Sequence, residues 1–226
     1  MLQIALIAFP NITQLDLTAP LEVFSRFPDA KVSIIAETLE PIVSEKGFRF
    51  LPDAMFENAP DVDIIFIPGG PGISEAMENK KLMDFLVRQS HHAQYITSVC
   101  TGALILAQAG LLDGYKATTH WLSLDLLRLY KKIKVTEKRV VVDGNRITGG
   151  GVTAGIDMAL VLAEKIYGAN IAQSIQLMIE YNPKPPFKSG SPKLAPPEIV
   201  EKIKSQRKEI QEKRRTQILK MIKGEK

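Results

Sequence analysis

The chain has 226 residues, 45% of them hydrophobic and 24% charged, which is enough apolar side chain for a sizeable core and too little bias for a fibrous or disordered protein. Its single cysteine excludes an internal disulfide and fits a reducing, cytoplasmic setting, and no run of about 18–20 apolar residues is present to cross a membrane as a helix. The net charge of +4 is concentrated: residues 198–226 carry ten Lys/Arg against five Asp/Glu, and the rest carries 19 against 20.

In chain order, residues 2–9 form an apolar run without a basic leader or a small-residue cleavage site, so a strand is predicted there. Residues 16–27 place Leu17, Leu21 and Phe24 at helical spacing. A strand is expected over 31–36. A buried strand, DIIFI, is expected over 63–67 and is ended by the turn residues Pro68-Gly69-Gly70-Pro71-Gly72. One helix is predicted over 74–89, with Leu82, Phe85 and Leu86 on its inner face. The strand at 94–99 runs straight into a helix over 101–112, closed by Gly114. A hairpin follows, 140–142 and 146–148, joined through Asp143-Gly144-Asn145, and then an apolar helix at 155–167. Pro183, Pro185, Pro186, Pro192, Pro196 and Pro197 make 182–197 an extended arm. Beyond it, 198–222 reads as a long, thinly apolar helix that needs the body or a partner subunit to pack on. The organisation expected is an α/β domain over 1–181, a Pro-rich arm over 182–197 and a basic C-terminal helix over 198–226.

Continuous apolar strands alternating with helices imply a mostly parallel sheet covered on both faces, and such sheets bind ligands beyond the carboxyl ends of their strands. Three chemically interesting segments fall there. Cys100 sits at a strand–helix joint, where backbone N–H groups and the helix dipole favour an anion and lower a thiol pKa, with Gly102 allowing close approach of helix to strand. The bland alternative is a buried structural cysteine. Asp16, between Leu15 and Leu17, is either a helix cap or a placed carboxyl; partly buried beside a thiol, it would hold a proton near neutrality. At the Gly69-Gly70 turn, Gly70 offers a backbone donor together with the N–H of Thr101, and no phosphate-loop lysine follows. Gly149-Gly150-Gly151-Val152 suggests a second backbone wall, with Gly150 and Val152 beside substrate, or simple tight packing. His120 is the histidine best placed as a thiol partner, while His91 and His92 read as surface. The histidines and the cysteine show no metal-ligand spacing. The basic tail reads as a solvated helix face. A nucleic-acid role lacks interleaved aromatics and a binding motif.

The segments FPNITQLDLTAPLEVF, IPGGPG, TSVCTGALILAQAGLLDGYKATTHW and TGGGVTAGID, with the NPKPPFKSGSP arm, resemble the isonitrile (isocyanide) hydratase branch of the ThiJ/PfpI superfamily, from about residue 2 to residue 192. The same body resembles the N-terminal domain of AraC-type regulators, whose helix-turn-helix region this chain lacks. The resemblance implies a flavodoxin-like (class I glutamine-amidotransferase-like) sandwich, a homodimer, and no metal or organic cofactor. It further implies Cys100 as an elbow nucleophile with Asp16 as its acid. A protease-like branch has histidine directly after the cysteine; here Thr101 stands there, which argues against a Cys–His peptidase. The implied reaction is hydration of an isonitrile to an N-substituted formamide through a Cys100 thioimidate, with Thr101 hydrogen-bonded to Asp16. A glyoxalase- or deglycase-like enzyme and a non-enzymatic cysteine redox sensor are the alternatives.

Overall fold

A computed structural model describes residues 1–224; residues 225–226 of the expected basic helix lie outside the described part. The elements in chain order are β1 (Leu2–Ile7), α1 (Gln14–Phe24), β2 (Ala30–Ala36), β3 (Ile42–Val43), β4 (Arg49–Phe50), β5 (Ala54–Met55), β6 (Ile64–Ile67), α2 (Ile73–Glu78), α3 (Lys80–Ser90), β7 (Tyr95–Ser98), α4 (Gly102–Gln108), β8 (Lys116–Ala117), α5 (Leu124–Leu127), β9 (Lys134–Val135), β10 (Val140–Asp143), β11 (Arg146–Gly149), α6 (Ala154–Tyr167), α7 (Ala169–Met178) and α8 (Pro197–Lys223). A 3-10 turn, Trp121–Ser123, precedes α5.

Seven strands form one sheet in the order β10-β11-β7-β6-β1-β2-β5. Every pairing is parallel except the β10–β11 hairpin at one edge. The central strands are apolar on both faces because helices cover both: Ile64, Ile65, Phe66 and Ile67 are all buried. One layer holds α1, α6 and α7, and the other holds α2 to α5. This is the α/β sandwich expected. The register Ile4↔Ile64 and Ile67↔Ser98 brings the carboxyl ends of β1, β6 and β7 side by side.

Several local expectations are corrected. The helix predicted over 74–89 is two helices. Asn79 leaves helical geometry, and its side chain accepts a hydrogen bond from the Leu82 N–H to cap α3. The helix after Cys100 ends at Gln108 rather than near Gly114; Gly110 takes a left-handed φ of 74°, and the Leu111 N–H returns to the Leu106 carbonyl. The short pairs β3–β4 and β8–β9, strand β5 and the helix α7 have no counterpart in the periodicity reading.

The C-terminal helix packs on the body. Val200, Arg214 and Ile218 are its buried residues, and it lies against α5 and the 3-10 turn before it. Among the described residues no helix is long and apolar enough to cross a membrane, and no group of three or more His, Cys, Asp or Glu is arranged to hold a metal ion.

Candidate active site

Three strand ends supply the site. The first is the turn from β1 into α1. Thr13 is the N-cap position, so Asp16 lies in the first turn of α1, but its carboxylate does not cap the helix. It crosses to the next strand end, where Oδ2 accepts a hydrogen bond from the Gly69 N–H at 3.0 Å. Asp16 is fully buried, and its Oδ1 has no hydrogen-bond partner. Burial pushes its pKa up to about 7; the Cys100 thiol and the Gly69 N–H oppose that rise, and the charge of Glu45 adds to it. Of the two readings of Asp16, a placed carboxyl is the one realised.

The second strand end is the turn after β6. A Cβ on Gly69 would stand 2.6 Å from both the Thr101 nitrogen and Oγ1, and 2.9 Å from Asp16 Oδ2. Backbone therefore occupies space that any side chain would need. Gly70 holds φ at 141°, a region that favours glycine.

The third is the joint from β7 to α4. Cys100 itself adopts φ of 55°, a left-handed conformation that costs a non-glycine residue about 1–2 kcal/mol. Its neighbours over-determine it. The Cys100 N–H donates to the carbonyls of Gly149 and Gly150 at 3.2 and 2.6 Å, and its carbonyl accepts from Thr119 Oγ1 at 2.7 Å. Gly102 then lets α4 lie against β6, since a Cβ there would run into the carbonyl oxygens of Ile67 and Pro68.

The electrostatics correct one expectation. The thiol is not lowered by its position before a helix. Burial pushes the Cys100 pKa up, and the Asp16 charge pushes it further, while the N–H of Thr101 facing the sulfur opposes both. Two acids in contact share one proton over a wide pH range, as carboxylate and thiol or as carboxylic acid and thiolate.

Two further corrections follow, one at Gly70 and one at Thr101. The Gly70 N–H is taken: it donates to Thr101 Oγ1 at 3.0 Å. The Gly150 N–H is also taken, by the Arg139 carbonyl at 2.8 Å, so Gly150 meets Cys100 through its carbonyl instead. Neither is a free donor to a developing anion, which leaves the Thr101 N–H. The Thr101 hydroxyl is bonded to Gly70 rather than to Asp16.

His120 stands apart from the thiol–acid pair. Its Nδ1 accepts from the Leu122 N–H at 3.3 Å, and its ring rests against Gly151. Burial and the charges of Arg207 and Arg214 lower its pKa to about 4, so it is neutral at pH 7. With Val152, Gly150, Trp121 and Leu124 it lines a cavity of about 430 Å³ roofed by Pro192 and Lys193 of the arm. His91 and His92 are exposed, as expected.

One residue escaped the sequence reading. Arg214 of α8 is 6% exposed, and its Nη2 donates to the carbonyls of Gly70 and Pro71, each at 3.2 Å. Its signal was faint: a cation four residues before Ile218, on the stripe that Ile210 and Ile218 also mark, among ten similar charges.

Comparison with known proteins gives a consistent result. A family model described as the DJ-1/PfpI family matches residues 2–165. An isonitrile hydratase of Pseudomonas putida is 47% identical over 203 residues, covering 90% of this chain and 89% of the relative. A helix-turn-helix transcriptional regulator of Pseudomonas aeruginosa, GbdR, is 35% identical over 136 residues, or 60% of this chain but 37% of the regulator. A ThiJ/PfpI family protein of Pseudomonas syringae, solved by crystallography, superposes with a TM-score of 0.92 at 41% identity, covering 96% of this chain and 90% of that one.

Proposed function

The chain belongs to the DJ-1/PfpI family, and we propose that within it the protein is an isonitrile hydratase that works through Cys100 and Asp16. One observation carries the residue roles: a fully buried carboxyl, with one oxygen unpartnered and a pKa raised by burial to about 7, interacts with the thiol of Cys100. The likeness of 90% of the chain to an isonitrile hydratase supports the reaction.

The terminal carbon of an isonitrile, R–N≡C, accepts a soft nucleophile. The reactive form of the pair is thiolate with carboxylic acid. Cys100 Sγ bonds to the carbon, and the proton of Asp16 passes to that same carbon, giving a thioimidate and leaving Asp16 ionised. Asp16 then takes a proton from water as the hydroxyl adds to the carbon, and passes that proton to the nitrogen. The tetrahedral species expels the thiolate as its hydroxyl proton passes to Asp16, which yields R–NH–CHO and returns the pair to its starting state. The strained turn at Cys100 serves as a nucleophile elbow. The Thr101 N–H is the backbone donor near the sulfur, and the cavity of Val152, Gly150 and His120 takes the R group.

The redox-sensor alternative relies on an easily ionised thiol, and the burial of Cys100 argues against it. For the hydratase reading, the enzyme is mixed with a simple alkyl isonitrile, quenched in acid and digested. The Cys100 peptide should gain the mass of the isonitrile, and the formamide should accumulate. Formamide production by Cys100→Ala at the native rate would end the covalent scheme. Lactate from methylglyoxal without formamide from isonitrile would replace the reaction class.

A further inference from the structure

The segment that matches the family ends at residue 165, yet the reactive turn is held from residue 214. Arg214 arrives on α8, across 144 residues of chain, and its fork closes on the carbonyls of Gly70 and Pro71. One turn on, Gln217 Nε2 donates to the Ser74 carbonyl at 2.9 Å, so α8 holds both the turn before α2 and the first turn of α2. Gly70 is the residue whose N–H seats Thr101 Oγ1, and the Thr101 N–H faces the sulfur of Cys100. The guanidinium is buried and, among the described residues, has no salt bridge and no hydrogen-bond partner at its Nε. Buried charges of this kind are paired unless something in the site uses them.

We propose that Arg214 is a positioning residue of the reactive centre: it locks the Gly70 peptide beneath Thr101 and sets a buried positive charge that favours the thiolate of Cys100. The proposal rests on Cys100 being the nucleophile. Asp16 of α1 faces the thiol and disfavours its ionisation, with Glu45 behind it. On the side of α8, an ionised Cys100 and Glu75 of α2 favour the charge of Arg214, and Arg207, two turns earlier on the same helix, opposes it. His120 is neutral and adds no charge near pH 7.

Because the chain has a single cysteine, iodoacetamide alkylation followed by mass spectrometry reads Cys100 alone, and it needs no isonitrile. The pH midpoint of alkylation should rise by about one unit in Arg214→Gln, which is roughly a tenfold slower reaction below the midpoint. Arg214→Lys, which keeps the charge, should stay within about twofold of the native protein. Gln217→Ala, which loosens the grip of α8 without touching charge, should leave the midpoint unmoved. An unshifted midpoint in Arg214→Gln overturns the proposal, and so does an equal shift in Gln217→Ala. If Arg214→Gln fails to fold, Arg214→Lys decides alone: a native midpoint supports the charge role, and a full-unit rise refutes it. Should formamide never be formed from any isonitrile, these profiles still stand or fall separately.

Discussion

Replacing Asp16 by asparagine should make the protein more stable while it loses activity. The carboxyl is held at about 7 in the fold against an ordinary value of 3.8. A carboxyl whose folded pKa is raised binds its proton more tightly in the fold, so its relative contribution is complete below the unfolded pKa and is lost as pH climbs through the folded one. Three pKa units correspond to a ceiling of about 4 kcal/mol lost by pH 8, of which about 3 kcal/mol is lost between pH 5 and pH 8. Asparagine carries no charge to desolvate and can still accept the Gly69 N–H through its carbonyl oxygen, so Asp16→Asn escapes this loss. The experiment is a pair of thermal or urea melts of native protein and variant at pH 5 and at pH 8. Every other titrating group acts in both proteins, so the difference between the two differences isolates Asp16. A gain of about 3 kcal/mol in the variant's advantage on going to pH 8 is expected, or about 6–12 °C in Tm for a chain of this size. An advantage that is the same at both pH values, or a variant less stable than the native protein at pH 8, would refute the account of Asp16 as a carboxyl held against its own burial.

The same coupling sets the pH profile of the reaction. With Asp16 near 7 and Cys100 higher, kcat/KM for an isonitrile should rise through about pH 7 and then hold a plateau, and a profile flat from pH 5 to pH 8 would contradict it. His120→Gln should change kcat less than about fivefold, because a neutral ring outside the thiol–acid pair has no proton to move; a loss on the 10²–10⁴-fold scale of acid–base catalysis would place it in the chemistry. Gly102→Ala should lower Tm by about 6–12 °C, since its Cβ meets the Ile67 and Pro68 carbonyls and either α4 or β6 must shift, at a cost of about 3 kcal/mol.

Much of this architecture could be read from local signals. The run DIIFI is continuous in apolar residues because both sheet faces are covered, and that continuity identified the sheet as parallel. The punctuation at Pro68–Gly72 marked a backbone that must pass close to something, and the something is Thr101 and Asp16. What local pattern does not carry is hydrogen-bond bookkeeping between distant turns. The N–H of Gly70 looked free because nothing within a few residues claims it; Thr101 claims it in the fold. The thiol pKa failed for a related reason. A helix N-terminus is a sequence-local feature that lowers it, whereas burial and the Asp16 charge come from packing and outweigh it. Arg214 was hidden among the cations of α8, since its role depends on which face of that helix meets the 70–71 turn.

The identity of residue 101 links these observations to the choice of chemistry. Thr101 is buried, its hydroxyl is bonded to the Gly70 N–H, and the vacant Cβ position of Gly69 lies 2.6 Å from that hydroxyl. With threonine there, the residue after the nucleophile supplies no imidazole base. The proton partner for sulfur must then come from another element, and the first turn of α1 brings a carboxyl. A carboxyl in that position has to be neutral part of the time to be useful as an acid at pH 7, and complete burial with an unpartnered oxygen keeps it so. Substrates that need a strong base to activate the thiol are therefore poorly served. A substrate whose carbon must be protonated as sulfur adds to it, as an isonitrile's must, matches an arrangement in which one proton lies between Asp16 and Cys100.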